Sequence, residues 1–217
     1  MKAKNLLAGI LLFLLFGSTS AQTREGNQRA LNAVINSEIL HEERDFIIYL
    51  PDDYYTSENE YPVLYILDGR THFHHATGAV NFLSVYGKIP DMIVVSIINV
   101  DRNRDFSPVH VESIPTSGGA DKFLGFMSGE LIPNMDLDYR TSGFNVLMGH
   151  SFGGTFAVFS LLTEPEVFDA YIAISPYLHY ADNYLIKESI QSLKPYKKSR
   201  KYIYMTVGYE PDYFDPL

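Results

Sequence analysis

The chain has 217 residues, with 26 acidic and 17 basic side chains and a formal net charge of −9. Apolar residues make up 46% and charged residues 20%, which excludes an intrinsically disordered chain and allows one sizeable core. The acidic balance argues against a nucleic-acid partner, and the lack of cysteine excludes disulfides, thiolate metal sites and a cysteine-linked lipid anchor.

Lys2 and Lys4 precede an apolar run at 6–16, and the small residues Thr19, Ser20 and Ala21 follow it. That order predicts a signal peptide over 1–21, cleaved after Ala21. The run is too short to span a bilayer comfortably. The mature protein is therefore expected to be exported, periplasmic or extracellular, and free of the membrane. Residues 22–32 are polar and predicted to be flexible.

Residues 33–40 and 44–50 read as two strands, the second with Phe46, Ile48 and Leu50 on one face. Residues 63–67 and 92–98 are nearly continuous apolar runs, as expected for strands buried on both faces. Between them 73–86 is compatible with a helix. Residues 101–117 read as an irregular loop rich in charge and proline, and 121–136 as an amphipathic helix. A strand at 144–148, a helix at 153–162, a strand at 171–174, a helix at 183–193 and a strand at 202–207 follow. This alternation predicts an α/β fold, mostly parallel, with helices on both faces and an antiparallel N-terminal edge. One domain is expected over 33–217.

The chemistry gathers around 149–153. Gly149, His150, Ser151, Phe152 and Gly153 form a G-x-S-x-G pattern between a predicted strand and helix, the setting of a nucleophile elbow. Gly149 and Gly153 are expected to relieve the crowding of the turn. Ser151 is then lifted clear of the sheet edge, and the Phe152 N–H is free to stabilise an oxyanion.

In combination these features resemble the esterase D and enterochelin esterase-like group of the α/β-hydrolase superfamily. The segments carrying the resemblance are 61–69, 101–108, 118–124, 130–133, 139–141, 149–154 and 168–176, spread over about residues 35–210. The resemblance implies a serine carboxylic-ester hydrolase with Ser151 as nucleophile. It implies an oxyanion hole made of the Phe152 N–H and an N–H from the loop after Leu67, assigned to Arg70. The substrate would be a small-molecule ester, and no cofactor or metal is called for. Candidate esters are those of siderophores, acylated or feruloylated sugars and small acyl groups.

The triad order of this fold is serine, acid, histidine. The acid belongs after the strand at 202–207, where Glu210 or Asp212 fits, and Glu210 is preferred. His179 is the only histidine after Ser151, and the family places its catalytic histidine later. The expectation is therefore a chain truncated at its C-terminus, short of a final strand and helix. The alternative is an inactive homologue that serves as a binding or scaffold protein. Arg102 and Arg104 have two readings: they hold an anionic substrate group, or they pin their loop by pairing with Asp101 and Asp105. The second is preferred. His72, His74 and His75 lack the accompanying carboxylates and the spacing of a helical metal site.

Overall fold

The computed structural model describes residues 29–192 and 200–208. The predicted signal peptide and Glu210 and Asp212 lie outside the described residues. Seven strands form one sheet: β1 (Ala30–Ser37), β2 (Glu42–Tyr49), β3 (Tyr61–Ile66), β4 (Ile93–Ile97), β5 (Thr141–His150), β6 (Ala170–Ile174) and β7 (Tyr202–Thr206). Their order is β1-β2-β4-β3-β5-β6-β7. The β1–β2 and β2–β4 pairs are antiparallel and the other four are parallel.

The helices are α1 (Gly69–Val85), α2 (Arg102–Phe106), α3 (Ala120–Phe126), α4 (Ile132–Asp138), α5 (Phe152–Thr163) and α6 (Tyr180–Ser192). They divide between the faces of the sheet. Ala76 and Val80 of α1 pack on Leu64, Ile66, Val94 and Val146 in a small core. Alternate strand residues, among them Val63, Tyr65, Val95 and Leu147, face a larger core with Phe123, Met135, Phe156 and Leu185 of α3 to α6. β3 and β4 thus have apolar cover on both sides, which is why they read as unbroken apolar runs. α5 is apolar all round because it is buried all round, from Gly153 to Ser160.

Several boundaries differ from the sequence reading. β1 and β2 start earlier than predicted, and the turn between them lies at 38–41. Glu130 fixes that turn: it accepts the Ser37 hydroxyl at 2.5 Å and the Glu38 and Ile39 N–H groups at 2.9 and 3.0 Å. Glu130 lies in a π-helical turn, Met127–Leu131, that joins α3 to α4 where one straight helix was expected. The loop predicted at 101–117 contains α2, capped by the Asp101 side chain, which accepts the Arg104 N–H at 3.0 Å. In α6, Ala181, Asp182 and Asn183 are left-handed, so the regular helix begins after them.

A charged cluster lies under α3. Arg44, on β2, is 1% exposed, and its Nη2 bonds Asp105 and Glu42 at 2.6 Å each. Its Nε and Nη1 have no hydrogen-bond acceptor among the described residues. They sit instead by aromatic faces, with the guanidinium carbon 5.2 Å from the Phe123 ring centre and 6.0 Å from that of Phe126. Arg104 completes the cluster from α2, paired with Glu42 and Asp105. Burial pushes the Asp105 carboxyl above its ordinary range against the pull of Arg104 and Arg44. Burial also opposes ionisation of Glu42, but its bonds to Arg104 and Arg44 outweigh it and hold this more open carboxyl below the ordinary range.

Arg44→Ala would leave buried carboxylate charge under-compensated, at an expected cost of about 3–5 kcal/mol. The check is the urea unfolding midpoint at unchanged m-value. Arg104→Ala, at a site about one-third exposed, should cost less. Equal losses would contradict this account.

Candidate active site

β5 ends at His150 and α5 begins at Phe152, so Ser151 is the whole connection. Its backbone has φ 56° and ψ −117°, a region that a residue with a side chain rarely adopts. Hydrogen bonds from both sides hold it there, the Tyr177 N–H adding a longer one to the Ser151 carbonyl at 3.4 Å. The Ser151 N–H donates to the Ile174 carbonyl at 2.9 Å, and the Ser151 carbonyl accepts the Thr155 N–H at 2.9 Å. The Thr155 side chain is fully buried, and its hydroxyl lies 3.2 Å from the Ser151 carbonyl and 3.1 Å from that of Tyr177.

The turn is tighter than the pattern suggests. A Cβ on Gly149 would stand 2.1 Å from the Gly153 carbonyl oxygen, so no larger residue fits there. A Cβ on Gly153 would meet Leu67 Cβ at 3.3 Å and an Asp68 carboxylate oxygen at 3.4 Å, which is crowded but far less severe. Gly149 is thus the obligatory glycine of the pair, and the atom that excludes a side chain is the backbone of the other one.

Ser151 is half-buried, and its hydroxyl makes no hydrogen bond among the described residues. The Phe152 N–H, at the start of α5, has no acceptor among them either. Across from it, Asp68 is left-handed, with φ 54° and ψ 47°, and turns the chain from β3 into α1. The Asp68 carbonyl accepts the Thr71 and His72 N–H groups at 2.9 and 3.2 Å. The Gly69 and Arg70 N–H groups precede these and are unclaimed within the described residues. A Cβ on Gly69 would stand 2.6 Å from the Ile97 carbonyl oxygen, so α1 starts pressed against the end of β4.

The Asp68 side chain went unassigned in the sequence reading. It is 8% exposed, and one carboxylate oxygen accepts Asn99 Nδ2 at 2.5 Å and Arg102 Nε at 2.7 Å. The other accepts Arg102 Nη2 at 3.1 Å. Arg102 also reaches the His150 carbonyl at 3.4 Å and lies 5.6 Å from the centre of the Phe152 ring. Its partner is thus Asp68, where Asp101 or Asp105 was expected. Arg104 is tied to Glu42 and Asp105, and so braces the loop. A signal for Asp68 did exist: a lone acid closing one buried strand and a basic residue just after the next.

Aromatic rings surround the elbow. Phe152 packs against Tyr177 and Tyr180 at 5.8 and 5.3 Å between ring centres. His72 Nδ1 and His75 Nε2 are 3.2 Å apart, and the His72 ring meets that of His150 edge to face at 5.7 Å. No group of three or more metal-ligating side chains is placed to hold a metal ion among the described residues. Burial pushes the His72 imidazole below its ordinary range, against the pull of Asp68. His179 stands on the turn after β6, its Nδ1 2.9 Å from Asn183 Oδ1.

A mostly parallel sheet in this strand order, with a strained serine between a central strand and a buried helix, defines an α/β-hydrolase. A family model described as "Putative esterase" matches residues 37–214. The chain belongs to that family, the esterase D and enterochelin esterase-like branch of the α/β-hydrolases. It is 31% identical over 162 residues to the ferri-bacillibactin esterase BesA of Bacillus subtilis, a match covering 65% of this chain and 56% of the relative. It is 33% identical over 111 residues to a siderophore enterobactin esterase of Emericella nidulans, covering 45% of this chain and 37% of that protein. The chain thus matches about half the length of these curated relatives or less. Among solved structures, an IroE-like serine hydrolase from Shewanella oneidensis superposes with a TM-score of 0.77 at 34% identity, covering 81% of this chain and 60% of that one.

His72 provides a pH test. Its depressed folded value favours the neutral ring, so its contribution to stability is complete above the unfolded value of about 6.5. That contribution is lost as pH falls from there through the folded value. His72→Gln should flatten the fall in melting temperature as pH drops below about 6.5. An unchanged slope would show that His72 is not the group responsible.

Proposed function

We propose that the protein is an exported serine esterase that cleaves carboxylic esters through an acyl-serine intermediate. The observation that carries this reading is the elbow: a positive-φ serine whose hydroxyl is free, beside the unclaimed N–H of Phe152. The Ser151 hydroxyl attacks the ester carbonyl carbon, and its proton passes to a general base. The carbonyl oxygen becomes an oxyanion held by the Phe152 and Arg70 N–H groups. Collapse of the tetrahedral intermediate expels the alcohol, and water then releases the acid by the same steps. Donors fixed in advance do not have to reorganise as the charge develops, so each contributes about 10²–10³ in rate.

Glu210 is proposed as the triad acid from its position after β7. The base would follow it in the order of the fold. Siderophore esters are the favoured substrate class, because two relatives carry that activity in their names. The exposed Tyr177 ring and the half-buried Phe152 ring packed beside it support this, as faces for an aromatic acyl or amide group.

Turnover of p-nitrophenyl butyrate, with covalent labelling of Ser151 by a fluorophosphonate, tests the reading. Ser151→Ala should abolish labelling and lower turnover by at least about 10³-fold. Turnover that survives in Ser151→Ala would rule out Ser151 as the nucleophile. A wild-type chain that neither turns over nor labels would be one without a working general base, as both a chain truncated before its histidine and the binding-protein alternative would be.

A further inference from the structure

A cavity of about 310 Å³ opens beside the first turn of α1, lined by Asn32, Ala33, Asp45, Phe46, Ile47, Arg70 and Ile98. Strand register fixes where it lies. Phe46 pairs with Ile97 and Ile47 with Ser96, so these residues sit at the carboxyl end of β4. Asn32 and Ala33 of β1 pair with Ile47 and Phe46 at the same level. The face follows from alternation. The Ser96 hydroxyl donates to the Gly69 carbonyl at 3.2 Å, so Ser96 points to the α1 side. Ile98, two residues on, points the same way. So do Ile47, paired with Ser96, Asp45, two residues before it, and Asn32, paired with Ile47. The cavity is therefore on the edge of the sheet that carries Ser151. From β5 the order runs to β3, β4 and β2. Two to three strand spacings make about 10–14 Å, within reach of one extended substrate.

The side chains facing this cavity are unspent. Arg70 and Asp45 are both exposed, and neither forms an ion pair or side-chain hydrogen bond among the described residues. They do not pair with each other, although both line the same space. Asn32 is likewise without a side-chain partner among the described residues. The other arginines near the cleft differ. Arg102 is held by Asp68, and Arg104 by Glu42 and Asp105. Arg70 therefore keeps its guanidinium available, and its backbone N–H, unclaimed among the described residues, is the proposed second oxyanion donor. Ile47 and Ile98 supply apolar wall for a short aliphatic or aromatic spacer.

We propose that this cavity is a subsite for a carboxylate-bearing arm of the ester substrate, bound by the Arg70 guanidinium with Asn32 as a second donor. The inference rests on the serine-esterase reading of Ser151, to which it adds a preference for monoanionic esters. One residue then serves two ends of the substrate: its backbone meets the reacting carbonyl and its side chain meets the remote charge. Asp45, on the same wall, restricts the site. It repels a second negative charge, so monoanions are preferred to dianions. The guanidinium suits the task because it presents paired N–H donors in the plane of a carboxylate.

The test measures binding as well as turnover. Monomethyl suberate, dimethyl suberate and suberate, long enough to reach from the elbow to the cavity, are titrated into the full chain carrying Ser151→Ala, and amide and arginine side-chain shifts are followed by NMR. The monoanion should bind about five- to tenfold more tightly than the neutral diester, as expected for one partly exposed charge-assisted contact. It should also bind more tightly than the dianion. Arg70→Gln should erase the preference over the diester, and Arg70→Lys should keep part of it. Asp45→Asn should tighten monoanion binding about two- to fivefold by removing the opposing charge. All these side chains are exposed, so melting temperatures should stay unchanged and serve as the folding control. Equal affinity for monoanion and diester, or a preference that persists in Arg70→Gln, would overturn the proposal. Weaker monoanion binding in Asp45→Asn would also overturn it. Fluorophosphonate labelling of wild-type Ser151 separates the two readings. Labelling without anion preference defeats the subsite alone, and anion preference without labelling defeats the esterase reading alone.

Discussion

The carboxylate of Asp68 is the interaction on which the site depends. It joins the ends of three neighbouring strands: Asp68 closes β3, Asn99 and Arg102 follow β4, and Arg102 continues to the carbonyl of His150 at the end of β5. The two N–H groups that would meet an oxyanion belong to separate elements, α1 and α5. Nothing in either helix alone fixes their separation. The link is made through Arg102: parting it from Asp68 would leave a nearly buried charge under-paired at several kcal/mol, and the same guanidinium reaches the end of β5 at the His150 carbonyl.

The buried cluster of Arg44, Glu42, Asp105 and Arg104 supports this from behind. It anchors α2 to β2, and α2 carries Arg102 on its first turn. The cap from Asp101 sets where that short helix begins. The path to the site therefore runs from a buried arginine on β2, through a five-residue helix, to the carboxylate beside the elbow. Two chemically similar arginines, two positions apart, have different duties. The position of the acids around them decides which duty each has.

Much of this was legible in the sequence. Buried parallel strands announce themselves as apolar runs, and the elbow announces itself because Gly149 cannot be replaced next to the Gly153 carbonyl. What stayed hidden depends on pairing between distant segments. Arg102 was matched to acids beside it in sequence, whereas its partner lies on the preceding strand, brought near by the parallel pairing of β3 with β4. The π-helical turn escaped because its cause, the grip of Glu130 on the β1–β2 turn, joins segments far apart in the chain. The start of α1 was placed too late because a left-handed aspartate is an unusual way to enter a helix.

The parallel core also constrains the order of folding. The β1–β2 hairpin joins neighbours in sequence, but β5 must find β3 across most of the intervening chain, Val63 meeting Asn145. Such closures are entropically slow and come after local structure has condensed. Ser151 acquires its strained backbone only once β5 lies between β3 and β6, since the Ile174 carbonyl that holds it belongs to β6. Before that step the serine is an ordinary hydroxyl on a relaxed chain, no more nucleophilic than any other. The geometry that the proposed chemistry needs is thus a late product of folding.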